Sequence, residues 1–232
     1  MNIDPLTEKY NTWSPYAFSG NRVIDSRELE GLEPISIHNN TRNLVIAVQG
    51  YAGSEPKYGS TQTQNAVKYA KNAGTDEGGL GKVLRFNDML RRSQAGVFAS
   101  GQGEATKKDV LSTIRDFKNK NENGNVILIG HSLGADNLVE MLNENKDIKV
   151  NLLITVDIAD DGNDTNIPSN VENVNNFYNK NAGLLSLGGN KVKIDNPSVT
   201  NGTNIPLDTT HTDIDNDYSE LFMDIIDKYI GF

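Results

Sequence analysis

The sequence predicts an α/β fold: a mostly parallel sheet with helices on both faces, preceded by a short irregular N-terminal arm. Three observations predict it. Apolar runs at 44–48, 126–129 and 150–156 suit strands buried on both faces, as in a parallel sheet covered by helices. Residues at helical spacing lie between and after those runs, first Val110, Leu111, Ile114 and Phe117, then Leu138, Met141 and Leu142. The stretch 126–138, Val-Ile-Leu-Ile-Gly-His-Ser-Leu-Gly-Ala-Asp-Asn-Leu, reads as strand, tight turn and helix start, so strands and helices alternate.

Composition bounds the rest. At 232 residues the chain is long enough for one α/β domain with a sizeable core and a short appendage. The expected division is an arm at 1–32 and one domain at 33–232. With 22 basic against 31 acidic residues the net charge is -9, which argues against nucleic acid and against attraction to anionic lipid surfaces. The absence of cysteine excludes disulfides, thiolate metal sites and cysteine nucleophiles. The start, Met1-Asn2-Ile3-Asp4-Pro5, lacks the basic and apolar regions of a signal peptide, and no apolar run approaches the length of a membrane span. The expectation is a protein that stays in the cytoplasm of its cell or leaves it by another route.

The arm is rich in aromatics and prolines without period 2 or 3.6. After it, 34–38 alternates weakly, and the run 44–48 ends in Gln49-Gly50-Tyr51-Ala52-Gly53-Ser54. A strand followed by such a small-residue loop lets backbone N–H groups approach a substrate. Residues 61–72 suit a helix. The Gly78-Gly79-Leu80-Gly81-Lys82 run lacks phosphate-loop spacing and a preceding strand. A short strand is expected at 96–100 and a helix at 107–118. Asp157 stands at the end of the run 150–156, with Asp160 as the alternative acid. The stretch 160–166 has calcium-loop composition without EF-hand spacing and reads as a solvated turn, so no metal or cofactor is expected. A strand at 171–178 should bury Val171, Val174 and Phe177, while 185–206 reads as loop with a short strand at 191–194. The last helix is expected at 217–229, begun by Asp217 and Glu220 as a capping-box-like pair.

The turn in 126–138 carries the chemistry. In G-x-S-x-G the serine sits on a strained strand-to-helix turn with its hydroxyl thrust outward, so the positions two before and two after it must be nearly side-chain-free. Here they are Gly130 and Gly134, around Ser132. At average Gly and Ser usage of roughly 7% each, the pattern arises by chance in about one chain of this length in ten, and the strand before and helix after raise it above that level. A serine nucleophile needs a base, and the histidines are His38, His131 and His211.

Together these motifs resemble the α/β-hydrolase family, over scattered segments between 43 and 215. The resemblance implies an α/β-hydrolase-type sheet and a triad in the chain order Ser132, Asp157, His211. It also implies an oxyanion hole from the backbone N–H groups of Tyr51 and Leu133, the 49–53 loop being similar to the His-Gly-x-x-Gly loop of lipases with Gln49 in place of the histidine. The Gly-His-Ser-Leu-Gly form is similar to lipases, phospholipases and thioesterases, and so to hydrolysis of carboxylic esters, phospholipids included. A binding module on a hydrolase scaffold, or an amidase or peptidase acting on cell wall, are the alternatives.

A second resemblance concerns the arm. Asp4-Pro5-Leu6, Glu8-Lys9-Tyr10, Ser14-Pro15-Tyr16, Asn21, Val23-Ile24-Asp25 and the closing Gly31-Leu32 resemble the tail of the Rhs-repeat-associated core domain. The resemblance implies that residues from about 33 onward stand in the toxin position, as an antibacterial effector delivered by a type VI-like secretion system and neutralised at home by an immunity protein. Ser26-Arg27-Glu28-Leu29-Glu30 between Asp25 and Gly31 departs from the Asp-Pro-x-Gly-Leu self-cleavage pattern.

Overall fold

The computed structural model describes residues 26–27, 35–36, 41–50, 93–99, 103–159, 165–182 and 188–230. In chain order the strands are β1 (Ser26–Arg27), β2 (Ile35–Ser36), β3 (Asn43–Gln49), β4 (Ser93–Ala99), β5 (Asn125–His131), β6 (Val150–Val156), β7 (Asn166–Ile167), β8 (Val171–Asn179), β9 (Lys193–Ile194) and β10 (Asn201–Leu207). The described helices are α1 (Glu104–Lys120), α2 (Leu133–Glu144), α3 (Ile214–Asp217) and α4 (Ser219–Ile230). Six strands form one sheet in the spatial order β10-β8-β6-β5-β3-β4, and every neighbouring pair is parallel. β1 pairs with β2, and β7 with β9, apart from it.

Parallel pairing forces each connection to cross a face of the sheet, which is where helices go. The consequence is visible in β5. Val126 and Leu128 point into one core with Ile114 and Phe117 of α1 and Leu138 and Leu142 of α2. Ile127 and Ile129 point into the other with Ile214 of α3 and Phe222 and Ile226 of α4. All four β5 residues are fully buried, so the run is apolar throughout because both faces of the strand are covered. The expected architecture, a parallel sheet with helices on both faces, is the observed one.

The strand order reverses once. From β3 the chain moves outward to β4, then returns to the other side of β3 as β5 and continues outward through β6, β8 and β10. Such a reversal leaves a crevice outside the carboxyl ends of the two central strands, here β3 and β5.

Two expectations give way. The segment 185–206 holds more than the one short strand expected, because 201–207 forms the edge strand β10. Its sequence, Asn-Gly-Thr-Asn-Ile-Pro-Leu, carries no apolar period since its first four residues are exposed, and an edge position tolerates Pro206. The last helix is also broken in two, α3 closing at Tyr218 before α4 begins. Asp217 does not cap α4. Its carboxylate accepts a hydrogen bond from the Thr209 hydroxyl at 2.7 Å. Phe222 and Ile226 are fully buried, whereas Leu221 is exposed.

Candidate active site

The site begins at the carboxyl ends of β5 and β6. Ser132 follows β5 with φ 55°, Asp157 follows β6 with φ 46°, and they are the only non-glycine residues of positive φ among the described residues. Such a conformation costs about 1–3 kcal/mol and persists where the surroundings over-determine it. Here they do. Ser132 N–H donates to Val156 O at 3.0 Å and Asp157 N–H to Phe177 O at 2.7 Å, so each residue is pinned to the next strand.

The tightness of the Ser132 turn is measurable at Gly130, where a Cβ would lie 2.6 Å from the Ala135 Cα and 2.7 Å from its nitrogen. Strand β5 and helix α2 can meet only without a side chain there. Ser132 O accepts from Ala135 N–H and Asp136 N–H at 3.0 and 3.2 Å, opening the helix. The Ser132 side chain makes no cap bond and its hydroxyl is left to point elsewhere.

It points to His211. The Asp157 carboxylate can only accept, so His211 Nδ1–H is the donor in their 2.7 Å contact. That leaves His211 Nε2 as the acceptor for the Ser132 hydroxyl at 2.8 Å. The other carboxylate oxygen, Asp157 Oδ1, accepts from Asn179 N–H at 2.9 Å and Gly189 N–H at 2.7 Å. Asp157 is fully buried. Burial pushes its carboxyl up, but the His211 bond and the two backbone donors outweigh it and hold the group below the ordinary carboxylate range.

His131, the residue between Gly130 and Ser132, turns inward. Its Nε2–H donates to His211 O at 2.9 Å, and its ring lies 5.1 Å from the His211 ring. Its Nδ1 faces Asp215 Oδ2 at 3.8 Å, beyond hydrogen-bond reach. Burial pushes the imidazole below its ordinary value, against the pull of the Asp215 charge.

Of the residues singled out in the sequence, Ser132, Asp157 and His211 form one hydrogen-bonded chain, with Gly130 and Gly134 flanking the serine. Leu133 is the first residue of α2, where helix geometry provides no acceptor for its N–H. Gly50, at the end of β3, adjoins the serine: a Cβ on it would sit 2.9 Å from Ser132 Cβ. Tyr51, Asp160 and His38 lie outside the described residues, as does most of the arm. The sequence reading missed Asn179, Gly188 and Gly189 around Asp157. A Gly-Gly-Asn run is a turn signal wherever it occurs, and nothing in it names the acid it serves. Among the described residues, no group of three or more His, Asp or Glu side chains is arranged to hold a metal ion, and no helix is long and apolar enough to cross a membrane.

No protein-family model and no curated protein matches this chain. Similar solved structures include the catalytic core domain of acetyl xylan esterase from Trichoderma reesei, 10% identical with a TM-score of 0.44, covering 82% of this chain and 99% of that one. Est1E from Butyrivibrio proteoclasticus is 11% identical with a TM-score of 0.44, covering 88% and 96%. A protein of Xanthomonas campestris described as an α/β serine hydrolase without lid is 12% identical with a TM-score of 0.41, covering 88% and 91%.

Proposed function

We propose that this protein is a serine hydrolase of carboxylic esters, of the lipase, phospholipase or esterase kind. The observation that carries the reading is the chain of hydrogen bonds Ser132–His211–Asp157, 2.8 and 2.7 Å long, at the crevice where the strand order reverses. In this reading His211 Nε2 takes the Ser132 proton as Oγ attacks the ester carbonyl. The oxyanion of the tetrahedral intermediate is held by the N–H of Leu133, at the positive end of α2, and by that of Tyr51. His211 then returns the proton to the departing alcohol, leaving an acyl group on Ser132. Water, deprotonated by His211 in turn, releases the acid. Asp157 keeps Nδ1 protonated and stabilises the imidazolium formed in each half.

The rest rests on sequence resemblance. The Rhs-like arm at 1–32 suggests that 33–232 is a toxin-position domain, an antibacterial effector exported from its producer and paired there with an immunity protein. Its phospholipids or other esters are then those of a target cell.

The test is an active-site probe. A fluorophosphonate should label the wild-type protein and not Ser132→Ala, and short-chain p-nitrophenyl esters should be turned over by the first alone. Failure of the folded wild-type protein to label, beside a serine hydrolase that does, overturns the reading in favour of a binding module. Phospholipid vesicles and peptidoglycan fragments, run in parallel, separate lipase from cell-wall amidase chemistry.

A further inference from the structure

The buried amide of Asn176 lies one strand away from Asp157 and takes no part in the proposed chemistry, yet its partners lead back to it. Asn176 is fully buried on β8. Its Oδ1 accepts from the Thr155 hydroxyl of β6 at 2.7 Å. Its Nδ2 donates to Asn204 Oδ1 of β10 at 2.7 Å and to Asn190 O at 3.0 Å. Thr155, Asn176 and Asn204 are register partners on three adjacent strands, so the row is a cross-strand polar ladder that runs from the buried interior to the exposed edge strand. Asn190 in turn donates through Nδ2 to Ile158 O at 3.1 Å, the carbonyl next to Asp157.

Asn190 closes the turn 188–190, and the other two residues of that turn touch Asp157. Gly189 N–H is one of the two backbone donors to Asp157 Oδ1. Gly188 passes so close that a Cβ on it would lie 2.2 Å from Asp157 Oδ2 and 2.5 Å from His211 Nδ1. The Gly188 backbone therefore covers the Asp157–His211 hydrogen bond, which is one reason the carboxylate is sealed from solvent.

Resting on the hydrolase reading, we infer that Asn176 and Asn190 are positioning residues that clamp the turn 188–190 over Asp157, fixing the acid's orientation from the neighbouring strand. A buried amide with three hydrogen bonds costs more to leave half-satisfied than to replace by an apolar pair. Its retention here is accounted for by what it holds. Loosening the turn removes the Gly189 donor and opens Asp157 to water. The carboxylate is then free to rotate off Nδ1, and His211 loses the partner that fixes its tautomer. KM is untouched, because no residue of the clamp reaches the carbonyl carbon.

The experiment compares Asn176→Ala and Asn190→Ala with wild type, their folding checked by circular dichroism. The first readout is the far-downfield proton resonance of the imidazole N–H bonded to the carboxylate, assigned by its loss in Asp157→Asn. Both variants should broaden or lose it. The second is steady-state ester hydrolysis, where kcat should fall about tenfold or more with KM changed by less than about twofold. A merely structural loss would lower the amount of active protein without changing the resonance of the folded fraction. Folded variants that keep the resonance and kcat overturn the clamp. If Asn176→Ala fails to fold, the half-buried Asn190 decides the question alone. If wild type does not label with fluorophosphonate, the hydrolase reading fails and the resonance still decides the clamp.

Discussion

Ser132 and Asp157 share a backbone conformation that L-residues avoid, and each sits where a strand of the central sheet gives out. Under the proposed mechanism Ser132→Ala lowers kcat by about 10⁶-fold, and Asp157→Asn by about 10⁴-fold, since an amide can present an N–H to Nδ1 and select the wrong tautomer. A glycine makes a sharper prediction, because it carries no functional group. Gly188→Ala drives a methyl between Asp157 Oδ2 and His211 Nδ1. We expect kcat to fall at least about 100-fold in a protein that still folds, and thermal melting with an ester assay checks both parts; near-wild-type kcat would show that the turn gives way at no cost to the acid.

At the level of elements, β3, β5 and β6 were legible because they lie in the middle of the sheet, where both faces are covered and the sequence is apolar throughout. Helices α1 and α2 were legible for the complementary reason, each having one apolar face. What was not legible is the edge strand β10. Strand β8 was readable at 171–178 from Val171, Val174 and Phe177, which are buried as expected, whereas β10 carries Asn201, Gly202 and Asn204, residues that local statistics assign to turns. Its strand conformation is fixed by its partner β8, and no window of sequence contains both. The serine's setting was readable because a strand, a turn and a helix are contiguous. The surroundings of Asp157 were not, because they come from three separate segments. The covering of the second face is testable through α4. Phe222 packs on Phe177 of β8 with ring centroids 5.0 Å apart. Phe222→Ala should cost about 3–5 kcal/mol in a urea titration, and a cost under about 1 kcal/mol would mean that α4 is not part of the core.

For the molecule as a whole, His131 and Asp157 contribute to how stability depends on pH. The folded pKa of His131 lies below its unfolded value of about 6.5. Below about pH 6.5 the unfolded chain takes up a proton that the folded chain refuses, so stability falls as pH drops through the interval down to the folded value. Asp157 acts lower in the range. Its folded pKa is depressed, so its contribution is complete above the unfolded carboxylate value and is lost as pH falls through the folded one. The urea midpoint should therefore decrease between pH 7.5 and 5.5, and His131→Gln, which keeps a donor for His211 O, should flatten that decrease. An unchanged slope in the variant would assign the effect elsewhere.

Under the proposed mechanism the parallel order of the sheet also governs when chemistry can switch on. Ser132 and His211 are 79 positions apart in the chain, and Asp157 and His211 are 54 apart. Contacts of that span form late, after the loops between them have been closed. A nascent, truncated or threaded chain that has built α2 and β5 thus holds a serine with no base, and is inert. In a refolding time course, fluorophosphonate reactivity should lag behind the return of helical signal, rising only as the segment beyond β10 docks. Under the proposed mechanism the fold acts as its own safety catch, released when the segment carrying His211 docks.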